Sequence, residues 1–169
     1  MAVTKQTYNS VGGFSVNETT VINDLRDITN INTLEIKNSN YSDVNKKDYI
    51  MKGNNTSILA LNGSGSTIAL SSNTINFITA NIVAVNASGN GYFSVKIESH
   101  VTCGASGDVQ VLSELTTVLK DSVPSGETWS VSSYDAGSAN AFSYSSVRGG
   151  TATNIKWVAY VQVVSLLWT

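Results

Sequence analysis

The chain has 169 residues, with 10 Lys and Arg against 12 Asp and Glu, a formal net charge of −2 at pH 7, and single copies of histidine (His100), cysteine (Cys103) and proline (Pro124). So balanced a charge gives no electrostatic footprint for nucleic acid or an anionic membrane, and one cysteine excludes an internal disulfide. Ser, Thr and Asn make up roughly a third of the residues, so there is little material for acid–base catalysis or metal capture and a structural or binding role is expected.

No run approaches the 18 apolar residues of a membrane span, and Met1–Thr7 has no apolar h-region, which predicts neither membrane insertion nor a secretory signal. The length predicts one main domain, with room for an appendage. About half of the charged residues fall in roughly the first third of the chain, which also lacks long apolar runs. Residues 1–56 therefore read as an Asn-rich N-terminal arm, and residues 57–169 as an antiparallel β-sandwich or jelly-roll-like domain. Within the arm two readings compete. Thr19-Thr20 would cap a short helix in which Val21, Leu25 and Ile28 recur at i, i+4 and i+7. An extended arm is the other, because residues 29–36 alternate like a strand. Neither supplies a core of its own.

From Ser57 onward the text turns to β. Ile58–Leu61 and Thr67–Leu70 flank Asn62-Gly63-Ser64-Gly65-Ser66, which predicts a hairpin. Thr74–Val85 follows, rich in Ile and Val, then a turn at Asn86–Gly91. Tyr92–Thr102 alternates most clearly: Phe93, Val95, Ile97, Val101 and Cys103 share one face, and Ser94, Lys96, Glu98, His100 and Thr102 the other. Gly104–Asp108 is a turn and Val109–Lys120 alternates again. Val123–Glu127 is a tight turn with Pro124 expected at i+1. Thr128–Tyr134, Ala141–Val147 and Asn154–Leu166 are three further strands. No exact internal repeat and no long low-complexity linker interrupt this pattern, and no helix is expected after residue 57.

The few chemically suggestive residues do not converge. His100 and Cys103 form an H-x-x-C, but an odd separation in a strand puts the two side chains on opposite faces, and no second pair completes four ligands. No serine sits in a G-x-S-x-G elbow for His100 to activate. Asp108, Glu114, Asp121, Glu127 and Asp135 fall at turns or on polar strand faces, where solvated carboxylates belong. Gly63-Ser64-Gly65 and Gly149-Gly150 lack the lysine and helix of a phosphate loop. No catalytic residue, cofactor or metal is expected.

The aromatic residues and the last strand are more informative. Trp129 and Trp157 alternate with Val131 and with Ile155, Ala159 and Val161 on inward faces, while Trp168 ends an apolar tip with Leu166 and Leu167. On the final strand one face is Ile155, Trp157, Ala159, Val161 and Val163. The other, Lys156, Val158, Tyr160, Gln162, Val164 and Leu166, is half apolar too. A strand apolar on both faces is covered on both, either by the N-terminal arm or by another copy. The expected interface residues are Val158, Tyr160, Val164, Leu166, Leu167 and Trp168, with Val21, Leu25 and Ile28 of the arm.

Two stretches resemble virion structural proteins of tailed bacteriophages. Met1-Ala2-Val3-Thr4-Lys5-Gln6-Thr7-Tyr8 looks like the start of structural proteins of marine and cyanobacterial phages. The run Leu119–Trp129, with its Val123-Pro124-Ser125-Gly126-Glu127 turn, and the closing Lys156-Trp157-Val158-Ala159-Tyr160-Val161 are similar to small β-sandwich modules of phage virions. The resemblance implies a non-enzymatic virion part made in the host cytoplasm: a capsid decoration protein or a head or tail appendage, homotrimeric or otherwise homo-oligomeric, docked on other virion proteins. The alternative it leaves is a tail-fibre module that binds host surface carbohydrate through exposed aromatics.

Overall fold

The computed structural model describes residues 14–16, 19–22, 33–137, 139–150 and 154–168. The chain divides into two compact units, residues 1–32 and 33–169. In the first, β1 (Phe14–Val16) and β2 (Thr19–Ile22) pair antiparallel, with Val16 opposite Thr19. Thr19-Thr20-Val21-Ile22 is a run of four β-branched residues, stiff at χ1 and suited to a pleated strand. A helix starting at Thr19 is thereby corrected, and Val21 lies in a strand. Leu25 and Ile28 lie outside the described residues.

The second unit contains ten strands and, among the described residues, no helix: β3 (Thr33–Lys37), β4 (Val44–Asn54), β5 (Ser57–Ile58), β6 (Ile68–Ala69), β7 (Thr74–Asn86), β8 (Tyr92–Cys103), β9 (Val109–Ser122), β10 (Thr128–Asp135), β11 (Ala141–Gly149) and β12 (Ile155–Leu167). They form a six-stranded sheet in the order β3-β4-β12-β7-β8-β9, and a smaller sheet in which β10 flanks β11 on one side and β5 and β6 on the other. All ladders are antiparallel, and the two sheets pack as a sandwich. β7, β8 and β9 are a meander. The first turn is organised by the Asn86 side chain, which accepts the N–H groups of Asn90 and Gly91, each at 3.1 Å. At the second turn Gly107 adopts φ +86°, a conformation glycine enters without steric cost. The chain then crosses to the small sheet for β10 and β11 and returns as β12, between β4 and β7.

Residues 33–56 therefore belong to the sandwich, and the boundary expected after residue 56 moves to residue 32. β4 pairs with β12 over eleven residues and inserts Tyr49 and Met51 into the core. Its Asn45, Lys46 and Lys47 dilute the alternation, so that only two inward positions advertise burial. The expected hairpin at 58–70 is also corrected. β5 and β6 both lie along β11, with Ile58 opposite Ser145 and Ile68 opposite Phe142, and residues 60–67 loop out between them. The loop is closed by the Leu61 N–H on the Ser66 carbonyl (2.7 Å) and fastened to β4 by reciprocal Lys52–Ala60 backbone bonds (2.8 Å each). Pro124 takes position i of its turn, not i+1: Glu127 N–H donates to its carbonyl at 3.0 Å, and Gly126 at i+2 has φ +83°.

The core lies between the sheets. Trp157 of β12 sits at its centre, edge-on to Phe93 of β8 (6.2 Å between ring centroids) and to Trp129 of β10 (6.4 Å), and its indole N–H donates to the Asn55 carbonyl at 2.9 Å. Phe142 and Tyr144 of β11 pack edge to face at 5.3 Å. Full burial of such apolar side chains stabilises by about 1.5–3 kcal/mol each. β8 presents the expected inward face, with Phe93, Val95, Ile97, Val101 and Cys103 all buried and His100 exposed on the other side.

Candidate assembly interface

Antiparallel register fixes which residues meet on the outward face of the six-stranded sheet, because directly opposed residues point the same way. One row runs Val44, Leu166, Ile75, Thr102 across β4, β12, β7 and β8; the next runs Lys46, Val164, Phe77, His100. Then come Asp48, Gln162, Thr79, Glu98, followed by Ile50, Tyr160, Asn81, Lys96, and by Lys52, Val158, Val83, Ser94. Apolar side chains thus occupy both ends of the face, with a polar band between them.

The first end forms a shallow groove of about 350 Å³ lined by Val44, Ile75, Phe77, His100, Val164 and Leu166. Val44 and Val164 also line a neighbouring groove of about 230 Å³ with Ile36 and Tyr41. The rings of Phe77 and His100 meet edge-on, 5.3 Å apart. At the other end Val83 is 54% and Ile50 51% exposed. The polar band neutralises itself within the sheet: Lys46 pairs with Asp48 at 3.2 Å and Lys96 with Glu98 at 2.9 Å, while Gln162 donates to Asp48 at 3.3 Å. A surface whose charges are already paired is less costly to cover with another than one bearing isolated ions.

Exposed apolar side chains also run along both faces of β9, with Leu115 opposite Glu98 on the outward face and Val118 opposite Val95 on the inner one. Only Val109 at its start is buried, and Leu112, Leu115, Val118 and Leu119 are all more than half exposed. β9 is the edge of the large sheet. Two bulges shape it: Leu119 is inserted between the residues opposite Ser94 and Val95, and Leu112 between those opposite His100 and Val101. Bulges twist an edge away from indiscriminate pairing. Glu114 reaches from β9 to the edge of β10, accepting the Ser133 N–H at 2.7 Å and the Thr116 hydroxyl at 3.2 Å.

Of the residues expected at an interface, Val158, Tyr160, Val164 and Leu166 share the outward face of β12, where Tyr160, Val164 and Leu166 are exposed and Val158 half-buried. Leu167 is half-buried and its N–H donates to the Asp43 carbonyl at 2.8 Å; Trp168 is half exposed and held by its N–H on the Asn73 carbonyl at 3.1 Å. The two residues Ile75 and Phe77, and the whole β9 stripe, were not among those expected. The signal for β7 was legible: Ile75, Phe77, Val83 and Val85 alternate with the buried Ile78, Ala80 and Ile82, so that β7, like β12, is apolar on both faces.

Among the described residues of the second unit, nothing else converges into a chemical site. His100 and Cys103 lie on opposite faces of β8, and Cys103 is enclosed, with the Asn140 amide donating to its Sγ at 3.2 Å. Burial pushes the thiol above its ordinary range, an effect that the Asn140 bond opposes. Among the described residues no three His, Cys, Asp or Glu side chains are grouped to hold a metal ion. Trp129 and Trp157 are spent on the core. A polar cleft lies at the β8–β9 and β10–β11 turns, lined by Asp108, Gln110 and Asp135 with Gly107, Val109, Gly137 and Ala139, and no aromatic is among these residues. No family model, no curated protein and no solved structure matches the chain.

Proposed function

We propose that this chain is a non-enzymatic structural protein that assembles with copies of itself through the outward face of its six-stranded sheet. The observation that carries the reading is the double-sided apolar character of β7 and β12, whose outward Ile75, Phe77, Val83, Tyr160, Val164 and Leu166 are exposed or nearly so. The five longer strands of the sheet, at about 4.8 Å each and about ten residues of about 3.3 Å, offer roughly 800 Å² of face, polar band included. That is about what one partner buries in an interface of standard size. The sequence resemblance of the Leu119–Trp129 turn region and the Lys156–Val161 strand to phage β-sandwich modules supports placing the assembly in a virion, as a decoration or appendage part.

Recognition of a carbohydrate is less well supported. Such a site needs an aromatic face in a concavity with converging polar groups. Here the exposed aromatics Phe77 and Tyr41 line shallow grooves walled mainly by aliphatic side chains, Tyr92, Tyr134, Tyr160 and Trp168 line neither of these, and the polar cleft has no aromatic.

Sedimentation equilibrium of the full chain at micromolar concentration tests the proposal. A mass that is an integer multiple of 17.9 kDa is the expected result. A single 17.9 kDa species up to the highest soluble concentration overturns it.

A further inference from the structure

Two surfaces of the sandwich that bear exposed apolar side chains carry opposite charge. On the outward face of the large sheet the register places Lys46, Lys52, Lys96, Lys120 and Lys156, but only Asp48 and Glu98. Asp48 and Glu98 are taken by Lys46 and Lys96. Among the described residues no ion pair reaches Lys52, Lys120 or Lys156. Lys52 and Lys156 lie diagonally on neighbouring strands, beside the exposed Val83 and Val85.

The inner face of β9 is the reverse. The residues opposite the buried positions of β8 are Val109, which is buried, and Val111, Glu114, Thr116, Val118 and Asp121, which are exposed. At one end of this face stand Asp108 and Asp135 of the adjoining turns. No Lys or Arg occurs in β10, and the single cation of β9, Lys120, lies opposite Ser94 on the outward face.

We infer that the sandwich assembles head to tail: the basic outward face of one copy, at Lys52 and Lys156, covers the acidic, aliphatic inner face of β9 in the next, at Glu114 and Asp121. The inference rests on the self-assembly reading and adds which surfaces meet. Two outward faces brought together would leave Lys52, Lys120 and Lys156 without carboxylates to meet, since Asp48 and Glu98 are already taken, and two β9 inner faces would leave Glu114 and Asp121 without cations. The head-to-tail contact instead matches both charge and apolar character, and it closes into a ring when its rotation divides a full turn, three-fold being the smallest such ring beyond a pair.

Charge reversal on the full-length chain, read by sedimentation, tests this. K52E/K156E and E114K/D121K are each expected to weaken self-association at least tenfold, and the fourfold variant carrying both pairs to regain the wild-type mass, because its charges are exchanged across the same joint. Circular dichroism verifies that each variant is folded. If loss of the Glu114–Ser133 bond unfolds E114K/D121K, D108K/D121K replaces it, alone and in the fourfold chain. A wild-type chain that associates while the fourfold variant stays as weak as its parents overturns the head-to-tail arrangement and leaves self-assembly standing. So does a loss confined to one of the two pairs. A wild-type chain that is monomeric overturns both.

Discussion

Tyr144 carries a phenol into the core beside Phe142 and leaves its hydroxyl fully buried without a hydrogen-bond partner among the described residues. Burial pushes its ionisation far above the ordinary phenol value, with the Glu114 carboxylate adding to the shift. Tyr49 and Cys103 are raised as well, in both cases chiefly by burial. In all three the folded state holds a proton that the unfolded chain releases at its ordinary pKa. The stability they contribute is therefore fully present below the thiol and phenol range and falls as pH rises through it. Thermal melts are expected to hold from neutral pH to about pH 8.5 and to decline above it, with the ordinary thiol and phenol values near 8.5 and 10 as markers. Tyr144→Phe removes an unsatisfied group at nearly constant shape, so it is expected to raise stability by about 1 kcal/mol and to blunt the alkaline decline. A Tyr144→Phe protein that melts lower would show that the hydroxyl has a partner, and one that declines as steeply above pH 10 would show that Tyr144 does not set the alkaline decline.

His100 and Cys103 give a paired test on one strand. His100→Ala, on the exposed face, is expected to change the stability of the single chain by less than about 0.5 kcal/mol. Cys103→Ser is expected to cost about 1 kcal/mol, at the lower end for a buried hydroxyl, because the Asn140 amide that now donates to Sγ remains to donate to Oγ. The reverse ranking in urea titrations would put the β8 register out by one residue.

Among the elements, alternation was sufficient where both members of a pair of faces differ. β8 and the inward side of β12 could be read residue by residue, because an apolar face meets a polar one. It was insufficient where neighbours decide. β9 alternates too, though less cleanly than β8, yet its position at the edge of the large sheet leaves nearly all of it exposed; strand order is set by long-range pairing that no local pattern encodes. β4 was missed for the opposite reason, its two inward apolar residues being too few to stand out from Lys and Asn. β5 and β6 misled because a Gly-rich loop between two apolar stretches signals a hairpin even when both stretches pair with a third strand. Gly53 shows how tightly β4 and β5 approach: a Cβ there would meet Leu59 Cδ2 at 2.4 Å and Ser57 Oγ at 2.5 Å. Gly53→Ala is expected to lower stability by about 1–3 kcal/mol, as overpacking does, measured by denaturant midpoint at unchanged m-value. A silent Gly53→Ala would mean that Leu59 moves aside and that the β4–β5 approach is loose.

At the scale of the whole molecule, the described sandwich begins at Thr33, and most of its apolar burial comes from strands of that unit. A chain of residues 33–169 is expected to keep the cooperative melt and β-type circular dichroism of the full protein. Removal of residues 1–52 is expected to abolish both, because it takes β3 and nearly all of β4, with Tyr49 and Met51, away from the exposed edge of β12. Survival of the fold without residues 1–52 would return the boundary to residue 56. The candidate interface was legible only in part, since β12 and β7 announce an apolar second face, whereas the proposed meeting of surfaces from different copies would leave no periodic trace in one chain.

The central claim is that the outward sheet face is covered in the working protein. Hydroxyl-radical footprinting of the full chain across a dilution series reads this directly at Phe77, Tyr160 and Leu166, whose side chains are exposed in the single chain. Strong protection of all three at high concentration, lost together on dilution while the buried Trp157 stays protected throughout, is the predicted result. Equal labelling of Phe77, Tyr160 and Leu166 at every concentration would contradict it.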